Sequence, residues 1–226
     1  MRGMLLSFAL LTAAVAVPAQ QAYLPGLGGM DVTLPITSLK QARMGRTLIQ
    51  KYDFSCGSAA VATLLTHHYD YPVTEEAVFK EMYENGDQAK IHKEGFSLLD
   101  MKRYLEAHGF KADGFEQPLE KLNQARIPAI VLINSNGYHH FVVVKGVQED
   151  RVLIGDPAQG TRAVSRKVFD ESWKNGLLFV IHSHVDKAKF NVAADWRVAP
   201  RAPLGRGVGR SSMGDITMPK LGPGDF

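Results

Sequence analysis

The hydrophobic pattern changes period near residue 127, and that change constrains the fold more than any other feature of the chain. Before it, the apolar residues follow helical spacing. The run Gly57-Ser-Ala-Ala-Val-Ala-Thr-Leu-Leu-Thr66 is small and apolar with no polar face, so it reads as a buried helix with Cys56 in or just before its first turn. Thr74 caps a second helix that carries Glu75 and Glu76 in its first turn, where carboxylates suit the helix dipole. Ser97 with Asp100 is a capping-box start for a third, which presents Leu98, Met101 and Leu105 on one stripe and stops at Gly109. A shorter helix over residues 119–125 follows Pro118.

Beyond that point the pattern is that of strands. Residues 127–134 form a continuous apolar run and read as a central strand; 139–148 and 151–156 read as a hairpin around Glu149-Asp150. Further strands are expected over 161–165 and 177–183, with a short helix over 166–173 between them, and an edge strand over 32–39. N-terminal helices packed on an antiparallel sheet make an α+β, two-layer domain.

The ends are of a different kind. A positive Met1-Arg2, an apolar run over 4–17 broken only by Ser7 and Thr12, and Val17-Pro18-Ala19 predict a signal peptide over 1–19, cut after Ala19. The competing reading, a retained anchor, meets the difficulty that the run is shorter than the roughly 20 residues needed to span a bilayer. No later stretch reads as a transmembrane helix, so no integral span is expected in the mature chain. Residues 20–46 read as a flexible lead-in, 47–185 as the domain, and 186–226 as a basic Gly-, Pro- and Arg-rich tail. The formal charge of +3 is accounted for by that tail, with seven Lys/Arg against four acids, so no basic face argues for nucleic acid.

The chain has one cysteine, which can form no internal disulfide. In an exported protein, with the bacterial periplasm as the expected compartment, a lone thiol is a liability unless it is deeply buried or does chemistry. Cys56 stands at a helix start, one of the two settings that favour a thiolate; a neighbouring imidazolium is the other. His140 heads a hydrophobic strand whose alternate residues Val142 and Val144 share its face. Asp156 ends the next strand, and the hairpin permits the two to be cross-strand neighbours, as in a triad whose acid orients the imidazole. Gln50, six residues before Cys56, is placed for its amide to fold back beside the Cys56 backbone N–H as an oxyanion donor.

The run Gln50-Lys-Tyr-Asp-Phe-Ser-Cys56-Gly-Ser-Ala-Ala resembles the nucleophile motif of the bacteriocin-processing peptidases, family thirty-nine of the papain-like cysteine peptidases. His140-Phe-Val-Val143 resembles their histidine strand and Gly155-Asp156-Pro157 their aspartate turn. The resemblance implies a papain-like fold with Cys56 as nucleophile, His140 as general base and acid, Asp156 as orienter and Gln50 as oxyanion donor. It implies a peptide or protein substrate, and no metal or organic cofactor. Many such peptidases are front ends of exporters that cut leaders after Gly-Gly. The whole-chain layout is similar instead to exported single-domain relatives that accompany functional-amyloid secretion, so exported amyloid or secretion-system components are the expected partners. Two rivals stay open at this point: acyl transfer by the same triad, as in transpeptidation, and a catalytically silent docking module.

Other residues compete for roles. His139 and His140 fall on opposite faces of a strand, so only one can meet Cys56, and the family pattern favours His140. His67-His68 end the apolar helix, and His182 and His184 share a strand face at a spacing compatible with metal. Gly28-Gly29 offers a self-processing site ahead of the domain.

Overall fold

The computed structural model describes residues 21–24, 32–35, 37–135 and 137–201. The expected signal peptide, the Gly28-Gly29 pair and the tail beyond 201 lie outside the described residues. The chain divides into two units, residues 1–41 and 42–226. In the first, β1 (Gln21–Leu24) pairs antiparallel with β2 (Val32–Pro35). The strand expected over 32–39 is therefore shorter, and Leu39 opens the helix α1 (Leu39–Met44).

The second unit follows the period change closely. Four helices come first: α2 (Cys56–His68), α3 (Glu75–Asn85), α4 (Gln88–Glu94) and α5 (Leu98–Ala107). The starts of α3, α4 and α5 are fixed by side chains that accept backbone N–H groups left without helical partners. Thr74 accepts from Ala77, Asp87 from Lys90, and Ser97 with Asp100 closes a reciprocal capping box. Next come β3 (Ala112–Glu116), α6 (Glu120–Ala125), β4 (Ala129–Ser135), β5 (Tyr138–Val147), β6 (Arg151–Asp156), β7 (Gly160–Ser165), α7 (Arg166–Ser172), β8 (Leu177–Ile181) and α8 (Ala193–Trp196). The six long-range strands form one antiparallel sheet in the order β3-β8-β4-β5-β6-β7.

Strand alternation sends successive residues to opposite faces. Ile130, Phe141, Val143, Phe179 and Ile181 pack with α2, α3 and α5 in one apolar cluster. Val131, Val142, Val144, Leu178 and Val180 face a second cluster that includes Leu122 of α6 and Phe169 of α7. The two-layer expectation is thus corrected: short helices also cover the second face, because the sheet strands are apolar on both sides.

The chain beyond 185 is described up to residue 201. Residues 186–201 lie against the sheet as a strap. Asn191 donates its N–H to the Lys145 carbonyl (2.9 Å), and Arg151 bonds the Ala199 carbonyl (2.8 Å) and stacks on Trp196. At its centre Asp195, 1% exposed, accepts from Lys145 Nζ (2.8 Å) and Arg46 Nε (2.6 Å). A buried carboxylate needs partners of this kind, and Arg46 and Lys145 supply them across 149 and 50 residues of sequence. Among the described residues, no helix is long and apolar enough to cross a membrane.

Candidate active site

Cys56 is the first residue of α2, and it is 6% exposed. The residue before it, Ser55, makes no side-chain cap to the helix; its hydroxyl instead donates to the Tyr52 carbonyl (3.0 Å) and accepts the Tyr52 N–H (3.1 Å). The electropositive end of α2 is therefore not neutralised by a capping oxygen where the sulfur sits. Gly57 is required by close approach: a Cβ there would lie 2.9 Å from Phe96 Cβ and 3.0 Å from Met101 Cε. The Cys-Gly pair lets the first turn of α2 press against the start of α5.

His140, 6% exposed, stands near the start of β5, paired with Ile133 of β4. Its Nε2 meets Asp156 Oδ1 at 2.8 Å. The other ring nitrogen, Nδ1, is buried with no aligned hydrogen-bond partner among the described residues. The Cys56 sulfur is nonetheless close enough to act on the imidazole. Burial disfavours the charged ring, but the Asp156 hydrogen bond and the neighbouring sulfur outweigh it and raise the His140 pKa to about 9. Loose alignment between nucleophile and base is common before substrate tightens the site.

Asp156, 1% exposed, is held from every side. Its Oδ1 accepts from His140 and from the Ala158 N–H (2.9 Å), and its Oδ2 from Arg162 Nε (3.2 Å) and Nη2 (3.0 Å). Burial pushes its pKa up, but the His140, Ala158 and Arg162 contacts overcome this and bring it to about 2. The register differs from the simple hairpin expected. Gly155 lies opposite Val143, so the ladder, continued by one residue, sets Asp156 against Val142, and the carboxylate reaches His140 diagonally.

Gln50 lines the same cleft as His140 and Asp156. Its backbone N–H is tied to the Pro157 carbonyl (3.0 Å), so the nucleophile loop is pinned to the aspartate turn. Its side-chain Nε2 does not fold freely over the sulfur. It donates to the Tyr52 carbonyl at 3.0 Å and more weakly to that of Asp53 at 3.5 Å.

Two cleft residues were absent from the sequence reading. Tyr138 stacks on His140 with ring centroids 6.0 Å apart, and its hydroxyl donates to the Asp53 carbonyl (2.8 Å), joining the two walls of the cleft. Arg162 of β7 is the other. Its signal was its spacing, six residues beyond Asp156 across a turn that allows Asp156 to pair with Gly160.

The competing histidines fall elsewhere. His139 is exposed and its Nε2 accepts from Asn134 Nδ2 (3.2 Å), in a depression bordered by α7. His68 is fully buried behind the cleft, with Nδ1 on the Lys189 carbonyl at 2.6 Å; burial lowers its pKa to about 3. His182 bonds Asp113 (2.8 Å), while His184 bonds Ser183 (3.1 Å) and lies beside the Phe110 ring.

A thiol at an uncapped helix start, a buried imidazole beside it and a carboxylate on the ring's far nitrogen define a cysteine hydrolase of the papain-like class. The α+β arrangement of helices on an antiparallel sheet is that of the same class. The chain belongs to the Peptidase C39 family, whose model matches residues 46–184, and it is a cysteine peptidase. It is 41% identical over 189 residues to the probable functional amyloid protease FapD of Pseudomonas fluorescens, covering 83% of each chain. With the protein of the same name from Pseudomonas aeruginosa it shares 40% identity over 181 residues, 80% of each. The peptidase domain of Streptococcus ComA superposes with a TM-score of 0.50 at 22% identity, covering 60% of this chain and 97% of that one. At that identity the likeness speaks to the fold.

Proposed function

We propose that this chain is an exported endopeptidase that cuts a peptide or protein substrate through a thioester on Cys56. The observation that carries the reading is the line of groups from the α2 start through His140 to Asp156, with the imidazole charged near neutral pH. An imidazolium beside a helix N-terminus is the setting that stabilises a thiolate. The thiolate attacks the scissile carbonyl, and the Cys56 backbone N–H faces the developing oxyanion. Gln50 joins it by turning the Nε2 hydrogen now on the distant Asp53 carbonyl. His140 then gives its proton to the leaving amine, keeps its orientation through Asp156, and returns as base for the water that frees the acyl group.

The Pseudomonas relatives are named for functional amyloid, which supports a substrate among exported amyloid or secretion-system components. A signal peptide over 1–19 fits that assignment and directs the chain to the periplasm. The test replaces Cys56 by Ala, a small residue in place of a small one, and follows the masses of exported proteins beside the wild type. Loss of one processed product with the fold retained is expected; full processing by Cys56→Ala refutes the proposal. Fractionation with a mature terminus at Gln20 checks the compartment, and a cytoplasmic chain retaining Met1 removes it.

A further inference from the structure

Asp156 carries an unusual load: it must stay ionised with 1% of its surface exposed. His140 occupies only one of its oxygens. The second, Oδ2, is served among the described residues by Arg162 alone, through two N–H groups at 3.2 and 3.0 Å. Two N–H groups of one planar guanidinium converge on that single oxygen and hold it from two directions, which a lysine ammonium on a flexible stem does not reproduce. The placement is built into the hairpin. Asp156 pairs with Gly160 at the turn, where φ is +79° and a Cβ would press on the Arg43 carbonyl at 2.8 Å. Arg162, opposite Ile154 and two residues farther along β7, is thereby returned to the acid. Its side chain is 29% exposed and borders the cleft with Gln50, Tyr138 and Gln159.

We infer that Arg162 is a positioning residue of the peptidase, locking Asp156 so that its other oxygen holds the His140 imidazole in line with Cys56. This rests on the catalytic reading above and extends it to a fifth side chain. Without the guanidinium, Oδ2 has no donor among the described residues, and the carboxyl gains freedom to rotate or to take a proton. Either change loosens the ring that must face the sulfur.

The test compares Arg162→Gln and Arg162→Lys with the wild type in three readouts: kcat and KM on a processed substrate, the carbon-13 titration of the Asp156 carboxyl, and the downfield proton resonance of His140 Nε2–H. In Arg162→Gln, kcat is expected to fall about tenfold with KM little changed, as for other outer partners of a catalytic group. The Asp156 titration moves above its present value of about 2, and the Nε2–H resonance shifts. Arg162→Lys restores charge without the fork and recovers the titration more than kcat. A kcat and an Asp156 titration both unchanged in Arg162→Gln overturn the inference. If Arg162→Gln does not fold, Arg162→Lys decides: wild-type kcat and resonance position there overturn it. The Cys56→Ala enzyme separates the two claims. Turnover by Cys56→Ala ends the peptidase mechanism while the Asp156 titration still reads the Arg162 contact.

Discussion

Replacing Asp195 by Asn should destabilise the protein by several kcal/mol, although Asp195 takes no part in the chemistry. The carboxylate is the only anion bonded to Lys145 among the described residues, and Lys145 is 0% exposed. Its remaining partners are neutral: the Arg46 carbonyl at 2.6 Å and the Thr161 hydroxyl at 3.2 Å. The Arg46 guanidinium, which Asp195 also binds, adds like charge. Removing one partner of a buried pair costs about 3–5 kcal/mol, because the other charge stays behind unmatched. Asn conserves volume, so the loss is one of charge. In urea, with a slope of about 2 kcal/mol/M for a domain of this size, the midpoint falls by about 2 M.

The pH dependence checks the cause. Burial lowers the Lys145 pKa to about 8 even with Asp195 beside it. A depressed folded-state pKa means stability that is present above the unfolded value, about 10.4, and lost as pH falls through the folded value. Without Asp195 the folded value drops below about 8, and because the unfolded value is common to both proteins the variant's deficit is largest on the acid side, shrinks as pH rises toward about 8 and does not change further above it. A paired Lys145→Met/Asp195→Leu variant should recover most of the loss, since two apolar residues leave no orphan. A deficit below about 1 kcal/mol near pH 6, or one that does not shrink as pH rises to about 8, refutes the reasoning.

Two further predictions concern the site. Asp156→Asn should lower kcat by more than a hundredfold, in the manner of triad-acid losses, and move the alkaline limb of the rate profile down from about 9, since the raised His140 pKa depends on that carboxylate. The same raised pKa stabilises the wild type fully below about 6.5 and is lost as pH rises through 9, so wild type and variant should converge in a denaturation series at alkaline pH. Gly57→Ala should cost about 1–3 kcal/mol by overpacking against Phe96 and Met101, and should lower the temperature at which Cys56 becomes labelled in a melt-and-label assay. Wild-type stability and labelling would show that the first turn of α2 tolerates the methyl.

Much of this molecule was legible where the signal is local. Thr74 and Ser97 with Asp100 marked helix starts because capping is a contact over three residues, and the apolar strands marked themselves by period. Cys56, His140 and Asp156 were legible as residue types in fitting contexts, and the model brings them to one cleft. The misjudged parts depend on sequence-distant partners. The hairpin register escaped a simple count because the turn is centred between Gln148 and Arg151, later than a midpoint at 148; the ladder shift between Val144 and Gly146 recovers only one residue of the offset, so the His140–Asp156 contact is diagonal. β3, an edge strand of mixed polarity, had no alternation to betray it. The packing of residues 186–201 against the sheet was hidden because that strap is polar and rich in turn formers, with its anchor in a single aspartate.

Lys145 links these failures to the function. A lysine inside the run Val142-Val143-Val144-Lys145-Gly146 looks like an interruption of an apolar strand, yet it occupies the point where the β5 ladder slips. Its stem touches the position a Cβ on Gly155 would fill, one residue before Asp156, and its ammonium bonds Thr161, one residue before Arg162. The Asp195–Lys145 pair therefore sits directly beneath the turn that delivers both the acid and its guanidinium. Buried charge costs stability unless matched, and an unmatched cost of that size is retained where it fixes geometry. On this view the strap is part of the peptidase domain: what it holds still, through Lys145 and Thr161, is the hairpin on which the imidazole's orientation depends.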